Sequence, residues 1–291
     1  MGIINANFNK IIDVSFITNG IGIQRSIVCA RRGRKPDIEI TGTFTTRDYL
    51  PVFNVAIKNL YLDLQKEQYA KLKVSCGYEG NTIPLVGTIL TMYQESPGPE
   101  GRTIIQCQLG NLTDWLEANV QLNFEAGTSI TEILNAIKSK LKATQVITGT
   151  KAKTLTLKEK FMHDGTAREA MAKLSKVFEG DQLAVFMREQ TLIAICLATS
   201  DKVGEEMLQY MSAPPQENTG DEAGTYYTTI TAPWMPKLQV GDVLVIPSRV
   251  YMRNFERVGT GKTQKIQVTN INFHFGTIKA NQMTVQGFMV R

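Results

Sequence analysis

The chain has 291 residues, 43% of them hydrophobic, which is enough to bury cores of ordinary size and argues against a disordered protein. It contains no run of about 18 apolar residues, and its first residues lack the pattern of a secretion signal, so we expect a soluble protein made in the cytosol. The net charge is +5, but residues 225–291 alone carry eight basic and two acidic residues. This asymmetry indicates that one part of the chain meets a polyanion, an acidic partner or an assembly interface.

The N-terminal third, residues 1–115, is predicted to be rich in β-strands. Asn19-Gly20 is a strong hairpin signal, because a type I′ turn needs positive φ at both central residues. It predicts a hairpin between strands at 11–18 and 21–28. Apolar and polar residues alternate in five further segments, which predicts strands at 37–44, 52–62, 72–76, 83–92 and 103–109. About seven strands in one third of the chain indicate a β-sandwich or barrel.

The middle, residues 116–200, changes from the period of a strand to that of a helix. Ser129 with Glu132, and Thr166 with Glu169, fit the capping box that begins a helix. An apolar stripe follows each pair, and Gly180 is predicted to stop the second helix. Strands are predicted at 182–186 and 191–197, so this part is expected to be a small α+β insert.

Residues 201–224 are polar, acidic and rich in Pro and Gly, which predicts a surface loop or linker. Residues 225–291 return to strands, predicted at 225–231, 242–247, 265–275 and 281–291. The chain is therefore expected to be mainly β. It would have a β-rich domain at 1–115, an α+β insert at 116–200, a linker at 201–224 and a second β-rich domain at 225–291.

A phosphate-binding loop is suggested by Gly259–Thr263, GTGKT, but the pattern is incomplete. Glu256 stands where the first glycine is needed, and the residues after Thr263 alternate like a strand. The helix N-terminus that would hold an anion is therefore missing, and a hairpin loop is the preferred interpretation.

Catalytic residues are scarce. His163 and His274 are the only histidines. A hydrolase triad needs a positioned base and a catalytic zinc usually needs two or three imidazoles, whereas His274 is expected in a strand and His163 in a loop before the second helix, so catalysis by them is not expected. The acidic pairs Glu205-Glu206 and Asp221-Glu222 could support glycoside hydrolysis, but no apolar pocket surrounds them in sequence to raise one pKa. The four cysteines, Cys29, Cys76, Cys107 and Cys196, form no C-x-x-C pair, so buried thiols are expected instead of a metal or disulfide framework.

Basic residues suggest contact surfaces. A charged loop holds Arg31, Arg32, Arg34 and Lys35, and Tyr251, Arg253, Phe255 and Arg257 alternate further on. The alternation fits a nucleic-acid groove, a core face with extended arginines or a protein interface. We predict subunit or tube contacts, with Arg31, Arg32, Arg34, Lys35, Arg249, Arg253 and Arg257 as the candidate interface residues.

The order of the strands carries a family resemblance. VAIKNLYL at 55–62, LKVSCGYEG at 72–80, IPLVGTIL at 83–90 and RTIIQCQLGN at 102–111 follow one another, and the two helices each begin after Gly-Thr. LQVGDVLVIPS at 238–248 and INFHFGTIKANQMTVQGF at 271–288 complete the pattern. From residue 37 to 290 the chain resembles the baseplate hub family of tailed bacteriophages and contractile injection machines.

The resemblance implies two tail-tube-like antiparallel β-barrels or sandwiches flanking the insert, in a homotrimeric ring that joins a sixfold tail tube to a threefold spike. Implied partners are the tail tube, central spike, tape measure and baseplate wedge proteins, with no membrane, specific nucleic acid, cofactor, metal or catalytic residue. The protein would be located in the virion tail, which would be assembled in the host cytoplasm. Two alternatives stay open. One is a cell-wall or carbohydrate-binding module, although such a module needs an exposed aromatic platform and the chain has only two tryptophans, Trp115 and Trp234. The other is a peptidoglycan-cleaving enzyme that uses Glu205 or Asp221.

Overall fold

A computed structural model describes residues 10–18, 24–29, 37–46, 51–60, 69–78, 80–95, 101–109, 117–141, 143–188, 190–208, 216–218, 227–247, 249–253, 256–259, 263–277 and 281–290. The protein is mostly β, with a curled antiparallel sheet and two α-helices among these residues, as the sequence predicts. The strands are β1 Lys10–Thr18, β2 Gln24–Cys29, β3 Ile38–Thr45, β4 Val52–Lys58, β5 Tyr69–Tyr78, β6 Asn81–Gln94, β7 Arg102–Leu109, β8 Asn119–Phe124, β9 Gln145–Thr148, β10 Phe161–Thr166, β11 Leu183–Arg188, β12 Thr191–Cys196, β13 Glu205–Met207, β14 Gln216–Asn218, β15 Tyr227–Ala232, β16 Val243–Ile246, β17 Arg249–Arg253, β18 Glu256–Gly259, β19 Gln264–Gly276 and β20 Gln282–Val290. The helices are α1 Ile130–Leu141 and α2 Ala167–Val177.

One sheet joins the two β-rich thirds. Thirteen of the described strands belong to it, in the order β14-β15-β20-β19-β3-β4-β7-β6-β5-β1-β2, with β13 and β16 attached beside β19. The N-terminal and C-terminal parts meet where β3 pairs antiparallel with β19, from Thr45 opposite Asn270 to Glu39 opposite Gly276. Apolar side chains from both thirds fill a common core, which includes Phe16, Phe53 and Phe275.

The first predicted hairpin forms with a different register. β1 and β2 pair antiparallel, but Ile17 lies opposite Gln24. A two-residue turn at Asn19-Gly20 would place Ile17 opposite Gly22, so the expected register is wrong by two positions. The turn residues themselves lie outside the described residues.

Strand β6 passes from one part of the sheet to the other. Its first half pairs with β5 up to Thr88 and its second half pairs with β7 from Thr88 onward. A Cβ on Gly87 would lie 2.6 Å from the Gln108 carbonyl oxygen, and one on Gly77 would lie 2.2 Å from that of Asn81. Both glycines are therefore required because neighbouring backbone comes too close for a side chain.

Two predicted ends differ from the observed ones. The strand predicted at 52–62 ends at Lys58, because Asn59 has a left-handed φ of 58° and its N–H donates to the Gly101 carbonyl. The second helix ends in a 3-10 turn at Glu179–Asp181, and the left-handed residue after it is Gln182 (φ 51°), not Gly180.

The insert has a core of its own. Its two helices bury the apolar stripes seen in the sequence, except for Val177 at the end of α2, which was expected in the stripe but is 48% exposed. β8 and β10 form an antiparallel pair beside the helices. Strand β9, which the sequence pattern did not predict, pairs parallel with β12.

The sheet β11-β12-β9 lies between the two cores. Val185 and Ala194 face the core of the insert, whereas their neighbours Phe186, Ile193 and Ile195 face the core of the main sheet. This explains the near-continuous apolar sequence of β11 and β12, since strands buried on both faces do not alternate with polar residues. The insert is therefore packed onto the β-rich part through a shared sheet.

The segment predicted as a linker, 201–224, contains two strands. Glu205–Met207 forms β13, which pairs parallel with β16, and Gln216–Asn218 forms β14, which pairs with β15. The prediction of a surface loop was therefore wrong for these residues. Their polar composition gives no sign that their backbone pairs with distant strands. The other residues between 209 and 226 lie outside the described part.

The second helix begins with the predicted capping box. Glu169 N–H donates to Thr166 Oγ1, and Thr166 N–H donates to the Glu169 carboxylate at 2.9 Å. The Thr166 backbone hydrogen bond, followed by the Thr166 side chain, lowers the pKa of Glu169. The stabilisation by the ionised Glu169 carboxylate is fully present above the pKa of a glutamate in the unfolded chain, about 4.3. It is lost as the pH falls through the lower pKa that Glu169 has in the folded protein.

We therefore expect Glu169→Ala to lower the Tm clearly at pH 7 and to matter much less at pH 3. Thermal unfolding of the wild type and the variant at both values tests this. Glu159→Ala, which removes an exposed acid outside the cap, serves as the control. An equal Tm difference at both pH values would contradict the role of the ionised carboxylate.

Candidate assembly surfaces

The predicted interface residues fall in two groups. Arg31, Arg32, Arg34 and Lys35 lie outside the described residues. Strands β17 and β18 pair antiparallel, with Arg253 opposite Glu256 and Arg257 opposite Met252, and β17 starts at Arg249. Their side chains are outside the described part, so a basic surface there stays a prediction.

The candidate acids do not form a catalytic pair in the described structure. Glu205 lies on β13 beside the ammonium groups of Lys202 and Lys265, the latter at 3.8 Å. The hydrogen bond from Lys202 and the two positive charges lower the pKa of Glu205. A general acid needs a raised pKa, so Glu205 is unsuited to that role. Asp221 and Glu222 lie outside the described residues.

The two histidines lie on different parts of the chain. His163 is on β10, where its Nε2 lies 2.9 Å from the Thr166 carbonyl oxygen. His274 is on β19, between the positions of Thr41 and Gln282 on the neighbouring strands. In the described ranges, no three His, Cys, Asp or Glu side chains come together in a way that could hold a metal.

The cysteines with described side chains are buried thiols, as the sequence predicts. Burial raises the pKa of Cys76 and Cys107 to about 12, and burial together with the Asp201 charge raises the pKa of Cys196 to about 11. At pH 8 the thiolate fraction of each is at most about one in a thousand. The side chain of Cys29 is outside the described part.

At most one of the four thiols should thus react rapidly with Ellman's reagent in the folded protein at pH 8. Burial and protonation both protect the other three. The same titration in denaturant supplies the reference value of four thiols. Rapid reaction of two or more thiols before unfolding would contradict the burial of this set.

The GTGKT motif stands between two strands that the structure describes. Gly259 ends β18 and Gln264 begins β19, so the predicted strand after GTGKT is confirmed; residues 260–262 are not described.

Trp234 is only 5% exposed and its ring lies 4.8 Å from that of Phe275. It is a core residue, so it cannot supply an aromatic platform for a carbohydrate. Trp115 lies outside the described residues.

The outer face of the main sheet is polar but largely uncharged. One row across six strands, from β20 to β6, consists of Gln282, His274, Thr41, Asn54, Gln106 and Thr91. In the next row, the Thr43 hydroxyl donates to Asn272 Oδ1 at 2.7 Å. Charged side chains occur at one end of this face, where the Arg102 guanidinium lies 3.5 Å from the Glu39 carboxylate. This face can make hydrogen bonds to another polar surface without strong electrostatic attraction.

Strand β6 exposes the largest share of apolar side chains in the described structure. Val86, Leu90 and Tyr93 are 38%, 48% and 52% exposed, and the other large exposed hydrophobic residues are spread singly over other elements. Several exposed apolar residues on one strand are more typical of a contact surface than of a solvated one. The sequence showed these residues only as part of a strand.

A buried polar junction was missed by the sequence analysis. The Asp201 carboxylate is 1% exposed and accepts hydrogen bonds from the backbone N–H of Lys151, Ala152 and Cys196 at 2.7, 3.1 and 3.0 Å. Gln267 of β19 donates its side-chain amide to the carbonyl oxygens of Cys196 and Asp201. The junction ties the insert to the main sheet.

An ion pair supports the same boundary. Arg188 on β11 contacts Asp242 at 2.7 Å, and the other Asp242 oxygen accepts the Gln239 N–H. Since Asp242 is 3% exposed, the pair is held in a nearly buried place. The orientation of the insert is therefore fixed by polar as well as apolar contacts.

Comparison with known proteins defines the class of fold. No family profile and no curated protein sequence matches the chain. Among solved structures, the fold is that of bacteriophage tail proteins and of a related secretion-system component, which confirms the fold resemblance seen in the sequence.

The chain is similar to a tail protein of Neisseria meningitidis MC58, with 10% identity, a TM-score of 0.55 and 97% of each chain covered. The 43 kDa tail protein of prophage MuSo2 from Shewanella oneidensis matches with 10% identity, a TM-score of 0.56, and 97% of this chain and 96% of that chain covered. The E. coli c3393 protein matches at 9% identity and TM-score 0.54, covering 89% of this chain and 75% of that one. It is described as a type VI secretion component with structural similarity to the T4 tail proteins gp27 and gp5.

A search of the described residues for helices long and apolar enough to cross a membrane finds none.

Proposed function

We propose that the protein is a structural baseplate hub protein of a phage tail or related contractile machine. Three copies would form a ring that adapts a sixfold tail tube to a threefold central spike. Residues 1–115 and 225–291 would supply the tube-like β units and residues 116–200 the insert. The role requires no catalysis, cofactor or metal.

The observation that carries this proposal is the extent of the fold match. The similarity to two tail proteins runs over 97% of this chain and nearly all of theirs, so it includes the insert and both β-rich parts. A module shared by unrelated proteins would match only one of these parts. The exposed apolar side chains of β6 give further support, because a structural protein acts through its contacts.

The mass in solution tests the ring directly. We expect light scattering after size-exclusion chromatography to give a mass near three times the 32.4 kDa chain, and negative-stain electron microscopy to show rings. A protein that stays monomeric, alone and with tube and spike proteins from the same tail, would overturn the hub role. Peptidoglycan release by the purified protein, abolished by Glu205→Gln or Asp221→Asn, would instead favour the enzyme alternative.

The proposed partners are the tube and spike proteins, and beyond them the tape measure and baseplate wedge proteins. The place of action would be the virion tail, after assembly in the host cytoplasm. This follows from the hub role and from the nature of the similar proteins, which are named as tail proteins.

The arginine loop provides a separate test. If Arg31 and Arg32 contact a neighbouring subunit or the tube, Arg31→Glu/Arg32→Glu should weaken assembly at least tenfold in concentration while the Tm changes by only a few degrees. Sedimentation over a concentration series and thermal unfolding measure the two effects. Matched loss of assembly and stability would assign the loop to folding instead.

A further inference from the structure

A groove in the insert runs between helix α1 and strand β9. Thr131, Asn135 and Lys138 line it from the helix, at spacings of four and three residues that place them on one face. Residues 145–148 of β9 and Lys153 form the other side. The groove measures about 500 Å3, within the range of roughly 300–1,000 Å3 typical of ligand clefts.

The groove follows the open edge of a sheet. β9 is the outer strand in the order β11-β12-β9, and within the described chain it pairs only with β12, from Gln145 opposite Thr191 to Thr148 opposite Ala194. All four residues of β9 line the groove, although successive side chains point to opposite faces of a strand. The groove therefore lies against the strand edge, where amides and carbonyls directed away from β12 are free to pair with another strand.

The groove is also lined by lysines from a lysine-rich segment of the chain. Residues 138–160 contain seven lysines and one acidic residue, Glu159, whereas the whole insert, residues 116–200, holds eleven basic and nine acidic residues. Lys138 and Lys153 line the groove, and neither belongs to an ion pair with a described residue. No carboxylate is found among the described lining residues. The electrostatic potential there favours an acidic ligand.

We propose that this groove binds an extended acidic peptide segment of a partner protein, which pairs with the edge of β9 as a fourth strand. Main-chain hydrogen bonds to β9 would give affinity, and the ammonium groups of Lys138 and Lys153 would select acidic side chains. The polar groups of Thr131 and Asn135 line the opposite wall and can hydrogen-bond the same segment. This binding is separate from ring formation, because it uses the insert alone.

The chemistry of the groove favours a peptide over a nucleic acid. Grooves for single-stranded nucleic acid stack bases on aromatic rings, and arginine is the residue that best matches phosphate. The described lining holds neither an aromatic residue nor an arginine. A strand edge, in contrast, offers donors and acceptors at the repeat of an extended polypeptide.

Fluorescence anisotropy with the full chain tests the proposal. The probe is a fluorescein-labelled decapeptide of alternating glutamate and valine. The wild type should bind it saturably, and Lys138→Glu/Lys153→Glu should weaken the affinity at least tenfold. The matched control, Lys140→Glu/Lys158→Glu, makes the same charge change at exposed lysines that do not line the groove, and should alter the affinity less than threefold.

Two further probes separate strand pairing from general attraction. A decapeptide of alternating glutamate and proline has the same charge but lacks half of the amide donors, so it should bind at least tenfold more weakly. A labelled single-stranded DNA dodecamer should bind more weakly than the glutamate-valine peptide. Circular dichroism and Tm confirm that both double variants are folded.

Several results would overturn the proposal. These are no saturable binding of the glutamate-valine peptide, equal loss in the two double variants, equal binding of the proline peptide, or tighter binding of the DNA. The first would leave the lysines with the role of protecting a short edge strand from other chains. Mass and ring formation are measured separately, so failure here does not bear on the hub proposal.

Discussion

Replacing Asp201 by alanine should destabilise the protein by about 3–5 kcal/mol, because three backbone N–H groups lose their hydrogen-bond acceptor. Two of the three hydrogen bonds, to Ala152 and Cys196, are fully buried, so water cannot readily replace the carboxylate. For a chain of this size the expected fall in Tm is roughly 10 °C. Urea unfolding and thermal unfolding of the variant measure the effect.

Asp181→Ala is the matched control for this experiment. The Asp181 carboxylate lies 3.8 Å from the ammonium group of Lys151, and both side chains are partly exposed. Lys151 is also the residue whose backbone N–H donates to Asp201, so the control lies close to the junction. A surface pair of this kind contributes at most about 1 kcal/mol. Similar losses in the two variants would show that Asp201 does not organise the junction.

Phe186→Ala should cost about 3–5 kcal/mol, since it removes a large side chain that is 1% exposed. Phe186 lies on β11 of the insert, but its ring packs into the core of the main sheet, close to the turn at Gly241. The cavity would therefore open between the two parts. We expect faster amide exchange at both sides of that boundary as well as a lower urea midpoint.

The less severe change Phe186→Leu keeps most of the apolar volume and should cost about 1–2 kcal/mol. A loss below 1 kcal/mol for the alanine variant would contradict the packing of the insert against the main sheet. So would unchanged exchange at β12 and at the Gly241 turn.

Most strands and both helices were predictable because their signals are local. Thr166 and Glu169 are three residues apart and satisfy each other's backbone groups, so the start of α2 can be recognised from a few letters. Alternation over four to eight residues likewise marks a strand, which holds for β4 and β7. The pairing of β3 with β19 leaves no such local mark.

The junction around Asp201 could not be predicted for a related reason. Its partners are at positions 151, 152, 196 and 267, and its own surroundings, SDKVGEE, have the composition of a solvated loop. The burial of Asp201 is possible only because distant backbone amides meet it. In the same way, β11 and β12 reveal their burial through apolar composition, but not that their two faces belong to different cores.

The candidate surfaces show the same limit. The interface predicted at Arg31 and Arg32 was based on a run of like charges, and it stays a prediction. The basic groove was hidden because residues 116–224 together hold 15 acidic and 12 basic residues, so their summed charge has the opposite sign. Charge sums over a domain thus hide local regions, which become visible only when helix and strand are brought together.

The pairing of β3 with β19 sets the order in which the protein can fold. Ile38 and Thr277 are hydrogen-bonded although they are 239 positions apart, so the edge of β3 stays unpaired until residues 264–277 have left the ribosome. Such distant pairing makes folding slow and leaves an open strand edge during synthesis. Folding of the main sheet is therefore completed only after β19 has been synthesised, and a shorter nascent chain cannot present the finished sheet to other subunits.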